Sequence, residues 1–273
     1  MTLRRWTAIF LLAACLIPAP SAQADVGGNE LQVHVFQAGK ADAYLIFTDD
    51  HAVLIDTGLS GFGKDVLKYL EKKEIDSLDA LILTHFDKDH IGGAAKLIRS
   101  VPIGRVLQSN CPQESEEYTA YCRALAEAGL EAETLRENCS FVFDGVEYTV
   151  YPPKRESYSS SPSNNSSLAV SVRFGETEIL FTGDAERERI NELCSLSLGT
   201  FQVLQLPHHG AYFPELELLL SETQPELALI STSDAEPEDE RTVDLLENAG
   251  IAVYNTKDGK INLCSDGRQI WIK

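Results

Sequence analysis

Thr84-His85-Phe86-Asp87-Lys88-Asp89-His90 follows the short apolar run Ala80–Leu83, and this stretch decides the fold. Two histidines and two aspartates fall between positions 85 and 90. Metal ions need such side chains close together, with deprotonated lone pairs. His85 and Asp87 alternate by two, so in an extended turn both can face one ion. Asp89 and His90 enter the next helix and can face a second. A solvated loop with incidental charges is the plain alternative, and the rest of the chain argues against it.

Three other apolar runs end in the same way. Ala52–Ile55 leads into Asp56-Thr57-Gly58, Glu178–Thr182 into Gly183-Asp184, and Phe201–Leu206 into Pro207-His208-His209-Gly210. Ligands of α/β sheets bind beyond the carboxyl ends of strands, so these ends are expected to converge on one cluster. Strand-like and helix-like runs alternate through both halves of the chain, which predicts α/β layers. Helices are expected over Lys64–Lys73, Gly92–Arg99, Glu116–Ala128, Glu186–Cys194 and Arg241–Asn248. Pro152 to Ser167 is rich in Pro, Ser and Asn and reads either as a linker or as a loop over a site. His34 and His51 read as a strand histidine and a turn histidine without chemistry, and Lys88 as a solvated charge.

His85-x-Asp87-x-Asp89-His90 resembles the HxHxDH signature of the metallo-β-lactamase superfamily, with aspartate in place of its second histidine. Together with Ile91-Gly92-Gly93, this form is similar to the hydrolase domain of the ComEC group of competence DNA-uptake proteins and its stand-alone relatives. Gly39 and Asp42, Asn164-Asn165-Ser166-Ser167-Leu168, Thr182-Gly183-Asp184-Ala185 and Leu206-Pro207-His208-His209-Gly210 resemble further motifs of that group. The resemblance runs from about Val33 to the C-terminus. It implies a four-layer αβ/βα sandwich with two divalent ions on one edge, Mn²⁺ or Zn²⁺. His85 and Asp87 would hold one ion; Asp89, His90 and His209 the other; Asp184 would bridge them. Asp89, Asp184 and His208 are the expected catalytic residues, and Asp56, Asp42 and Asn165 are expected to orient ligands or face substrate. The chain departs from the pattern in three places. It has no histidine near the Asn-rich stretch, Ala211 replaces a serine after His-His-Gly, and Asp234 to Glu240 holds no histidine.

The start of the chain reads as a leader. Arg4 and Arg5 precede the apolar run Trp6–Ile17, Pro18 and Pro20 break it, and Ala22-Gln23-Ala24 offers a cleavage site. Residues 1–24 are thus expected to be removed, leaving a single hydrolase domain over 25–273 that is exported to the periplasm or secreted. Leu12-Ala13-Ala14-Cys15 supports a rival reading as a lipoprotein anchored through Cys15. No later run is long enough to span a membrane. Removing Arg4 and Arg5 deepens the net charge from −19 to −21. A surface this acidic disfavours tight binding of long nucleic acids, and leaves a small or phosphodiester substrate open. Cys111, Cys122, Cys139, Cys194 and Cys264 remain, an odd number, and two of the first three are close enough in sequence to pair.

The expected chemistry is hydrolysis by hydroxide held between two ions. Three functions compete: a phosphodiesterase or nuclease-like enzyme, a hydrolase of a lactam, lactone or thioester, and a non-catalytic metal-binding module.

Overall fold

A computed structural model describes residues 30–273; the expected leader and Cys15 lie outside the described residues. The first half of the chain runs β1 (Leu31–Val35), β2 (Tyr44–Phe47), β3 (Ala52–Ile55), α1 (Gly63–Lys72), β4 (Leu78–Leu83), α2 (Lys88–Ile91), α3 (Ala94–Ile98), β5 (Ile103–Gln108), α4 (Glu116–Ala128), β6 (Ala132–Thr134), β7 (Cys139–Phe143) and β8 (Val146–Tyr151). The second half runs α5 (Pro162–Asn165), β9 (Ala169–Phe174), β10 (Thr177–Phe181), α6 (Arg187–Cys194), β11 (Val203–Gln205), α7 (Leu216–Thr223), β12 (Leu227–Ile230), α8 (Glu240–Ala249), β13 (Ala252–Asn255), β14 (Ile261–Ser265) and β15 (Ile270–Ile272).

These strands form two sheets. One has eight strands in the order β15-β14-β1-β2-β3-β4-β5-β6, the other seven in the order β13-β12-β11-β10-β9-β8-β7. The near-continuous apolar runs of β2, β3 and β4 are buried on both faces, as strands covered by helices on one side and a second sheet on the other must be. Val33, Tyr44, Ile46, Ile55 and Ile82 of the first sheet meet Tyr148, Val170, Val172, Ile179 and Phe181 of the second in the central core. Helices α1, α3 and α4 cover the outer face of the first sheet through Val66, Leu70, Leu97, Tyr121 and Ala124. Helices α6, α7 and α8 cover the second through Ile190, Leu193, Leu216, Leu219 and Leu246. The result is the expected four-layer αβ/βα sandwich.

β3 and β4 are parallel in one sheet, and β10, β11 and β12 are parallel in the other. Their carboxyl ends deliver Asp56, His85, Asp184 and His209 to one edge. Several local expectations are corrected. The helix expected over Gly92–Arg99 is shorter, as α3, and a separate turn, α2, precedes it and holds Asp89 and His90, which were expected to enter a helix. Gly92 lies so close to the Leu59–Ser60 backbone that a Cβ there would come within 2.2 Å of the Ser60 nitrogen. Strands β6 and β7 carry no clear sequence signal, because their residues are mostly half-buried or exposed, which mutes their apolar pattern. Pro152 to Ser167 is not a linker, since Asn165, Ser166 and Ser167 are buried. All five described cysteines are free, so no pair among Cys111, Cys122 and Cys139 is joined. No helix among the described residues is long and apolar enough to cross a membrane.

Candidate metal centre

Three of the four strand ends, those of β3, β10 and β11, turn through left-handed backbone as they deliver their side chains. Asp56, His208 and His209 all have positive φ (55°, 47° and 55°), a conformation that costs about 1–3 kcal/mol per residue and persists where the surroundings enforce it. Gly183 also has positive φ (54°), and a Cβ there would lie 2.9 Å from the Thr84 Cβ. Glycine at this point lets the β10 and β4 ends approach each other. The loops are hooked together: Thr57 N donates to His90 O (2.7 Å), Asp42 N to Asp89 O (3.1 Å) and Leu168 N to Thr84 O (2.9 Å).

Asp184 lies at the middle. Its Oδ1 is 3.3 Å from His90 Nε2. Its Oδ2 is 3.5 Å from His209 Nε2, 3.8 Å from His208 Nε2 and 4.0 Å from His85 Nε2. His209 Nε2 also faces Asp89 Oδ2 at 3.4 Å, and His85 Nε2 faces Asp87 Oδ2 at 3.7 Å. Donor atoms of Asp89, His90, Asp184 and His209 all lie within 4.8 Å of one another. All six residues expected to hold ions are therefore together, and His209 is the more deeply placed member of its pair. His208 is partly exposed, stacks on Phe213, and turns Nδ1 to Glu186 at 3.3 Å.

Behind these groups stands a supporting layer. The Asp56 carboxylate accepts from Thr84 N (2.8 Å), Thr84 Oγ1 (2.6 Å) and His90 Nδ1 (2.8 Å), which turns His90 Nε2 toward Asp184. Asp42 is fully buried, with Oδ1 3.5 Å from His209 Nδ1. His85 Nδ1 faces hydroxyls instead, Thr84 Oγ1 at 3.2 Å and Ser167 Oγ at 3.4 Å. Asn165 is fully buried. Its amide is committed to Ser160 O and Arg189 N, so it supports the loop rather than facing substrate. Ser163 and Ser167 of the same stretch reach the cluster; a serine among several carries no sequence signal that would have singled them out. The histidine-free segment Asp234 to Glu240 packs beside Gly210, with Asp239 N donating to Gly210 O (3.2 Å) and Glu238 paired to Lys257.

The donor set fits cations. His85 Nε2, His90 Nε2, both nitrogens of His209, Asp184 Oδ1 and both oxygens of Asp42 are buried without a hydrogen-bond partner among the described residues. Such groups are costly in a folded protein unless something pairs with them. Burial, reinforced by neighbouring His90, pushes His85 down to about 4, leaving an unprotonated nitrogen at neutral pH. Burial opposes charge on His90 and His209, but Asp184 with Asp56, and Asp184 with Asp42, overcome it and raise both well above the ordinary histidine value. Burial likewise opposes charge on Asp89, yet His209 and His90 hold it down at about 2. The cluster thus carries excess negative charge that divalent cations would balance. It opens to solvent through Asp87, Asp89 and His208, whose side chains are 39%, 23% and 26% exposed.

Comparison with known proteins agrees with this geometry. The sequence profile of the metallo-beta-lactamase superfamily matches residues 37–233. Recombination protein 2 of Haemophilus influenzae is 29% identical over 211 residues, covering 76% of this chain and 25% of that protein. ComE operon protein 3 of Bacillus subtilis is 29% identical over 222 residues, covering 74% of this chain and 28% of that protein. The chain therefore spans about a quarter of the length of these relatives. Among solved structures, the metallo-beta-lactamase fold protein YhfI from Bacillus subtilis superposes with a TM-score of 0.58 at 14% identity, over 90% of this chain and 100% of that one, a likeness of fold.

Proposed function

The chain belongs to the metallo-beta-lactamase superfamily as a metal-dependent hydrolase, and from that premise we propose that its substrate is a phosphodiester. The carboxylate-rich donor set carries this reading. Asp87, Asp89 and Asp184 stand with His85, His90 and His209 around one opening, and oxygen donors suit hard ions such as Mn²⁺, with Zn²⁺ also compatible with the imidazoles. The similarity to Recombination protein 2, through a quarter of its length, favours the same reading in so far as its name ties that protein to nucleic-acid processing. The net charge of −19 favours a small or short diester over a long duplex. Reading residues 1–24 as a leader makes the enzyme an exported one.

His85 and Asp87 would hold one ion and Asp89, His90 and His209 a second, with Asp184 between them. When bound, two divalent ions polarise a phosphoryl oxygen and bring the pKa of water toward neutrality. The protein's own groups do the rest. Asp56 and Asp42 fix the orientation of His90 and His209. Asp89, on the open side, accepts a hydrogen bond from the attacking water and so orients it. As the new P–O bond forms and the old one breaks, His208 Nε2 gives a proton to the leaving oxygen. Its stacking on Phe213 and its approach to Glu186 aim the ring for that transfer.

The test uses the protein from Asp25 onward, loaded with Mn²⁺ or Zn²⁺, a chromogenic phosphodiester, and a panel of thioester, lactone and β-lactam substrates. Diester turnover that needs metal and falls about 10³-fold in Asp184→Ala is expected. Turnover confined to the carbonyl panel would transfer the site to that chemistry. No turnover on either would make it a binding module.

A further inference from the structure

The stretch from Pro152 to Ser167 meets the cluster at an atom that the hydrolytic scheme leaves unused. Ser163 Oγ donates to Asp87 Oδ1 at 2.5 Å, while Asp87 Oδ2 faces His85 Nε2 at 3.7 Å. Asp87 is the most exposed of the donor carboxylates, 39% against 23% for Asp89 and 4% for Asp184. An exposed side chain keeps its rotamer freedom unless a contact removes it, and Ser163 provides that contact.

Ser163 is itself held in place. Its turn α5 is closed by Asn165 N donating to Ser161 O (2.9 Å), and the Asn165 amide bridges Ser160 O (2.8 Å) and Arg189 N (3.0 Å). Arg189 is fully buried, and its guanidinium donates to Ser167 O (2.9 Å), Tyr151 O (2.5 Å) and Glu192 Oε2 (3.2 Å). One side chain therefore ties the end of β8 to the end of the Ser/Asn-rich stretch. Glu188 accepts from Ser159 N (3.0 Å) and Ser160 N (3.1 Å). A hydroxyl on so constrained a loop can fix its partner.

The need for such a device follows from the asymmetry of the centre. Asp89, His90, Asp184 and His209 form a close group on their own, and His85 and Asp87 fall outside it. Both histidines of the close group face buried carboxylates, which raise a ligand's basicity, whereas His85 faces hydroxyls. The His85–Asp87 half has fewer donors, weaker support and a more exposed carboxylate.

We propose that Ser163 is a positioning residue that, by gripping one oxygen of Asp87 and leaving the other toward His85, makes the His85–Asp87 half competent to take a second divalent cation. The inference rests on the metal-centre reading above and is independent of the substrate.

The experiment titrates Mn²⁺, and separately Zn²⁺, into the metal-stripped protein and follows it by calorimetry and native mass spectrometry. Wild type, Ser163→Ala and Ser163→Thr are compared, and Co²⁺ loading adds an absorption spectrum for each equivalent. Wild type takes two ions. Ser163→Ala binds the first as wild type does, binds the second about tenfold more weakly or worse, and shows an altered spectrum only for the second Co²⁺ equivalent. Ser163→Thr, which keeps the hydroxyl, returns toward wild type. Unchanged binding of both ions in Ser163→Ala overturns the proposal, as does equal loss of both, or a wild type that takes one ion only. Two-ion binding without diester turnover would sink the substrate assignment and leave this inference standing.

Discussion

Two histidine clusters lie at different places in the sandwich, and they are built on opposite principles. In the β2–β3 turn, His51 Nδ1 pairs with Thr48 Oγ1 (2.8 Å) and His51 Nε2 with the Tyr148 hydroxyl (2.8 Å), while Thr48 donates to Asp144 (2.6 Å). Both ring nitrogens are satisfied, and the chain of bonds joins one sheet to the other. At the other cluster, His85, His90 and His209 are as deeply buried, yet each keeps Nε2 without a hydrogen-bond partner among the described residues. Burial therefore does not distinguish a structural histidine from a functional one; satisfaction does. A satisfied network stabilises the fold, and an unsatisfied one costs stability until a ligand completes it.

That contrast yields measurable consequences. The largest concerns the unsatisfied cluster. A divalent ion at a hundredfold excess over its dissociation constant should stabilise the protein by about 2.7 kcal/mol, read as a shift of the urea midpoint that a chelator reverses. Absence of any shift would mean the cluster is not completed by cations. Next is the satisfied cluster. Tyr148→Phe strands His51 Nε2 and should cost about 2 kcal/mol, with metal affinity unchanged. A loss of metal binding would show that the two clusters are coupled.

The smallest effect concerns His34, which stacks on Tyr69 (centroids 3.8 Å apart) and pairs with Asn262 (2.6 Å). Burial, with Lys260, Lys73 and Lys72 nearby, lowers it from 6.5 to about 4. Because its folded pKa is depressed, the fold prefers the neutral ring. Its contribution is complete above about 6.5 and fades as pH falls toward 4, on the order of 1 kcal/mol between pH 7 and 5.5. Urea denaturation at the two values should show a smaller pH effect for His34→Gln than for wild type, and equal effects would rule His34 out as the source.

Some of this was written plainly in the chain. Asp56, His85, Asp184 and His209 each follow a short apolar strand, so their residue type and position already implied a shared edge. The capped helix Glu116–Ala128, ending at a left-handed Gly129, was legible because its start and stop are local. The weakly patterned β7 was not, because a half-exposed edge strand carries little hydrophobic signal. Which of its two expected parts Asn165 plays was not legible for a related reason: an amide looks the same in sequence whether it faces a substrate or braces a loop.

By itself, the sequence determined the layered class, the donor types and the strand ends that bear them, since periodicity and residue chemistry are properties of neighbours along the chain. Only the tertiary structure decided that Asp184 lies at the centre, that Asp42 backs His209 across 167 positions, and that Ser163 grips Asp87 across 76. Those relations depend on where loop backbones meet once two sheets have packed. A shift of an ångström or two there separates a ligand from a bystander, and no pattern along the chain encodes it.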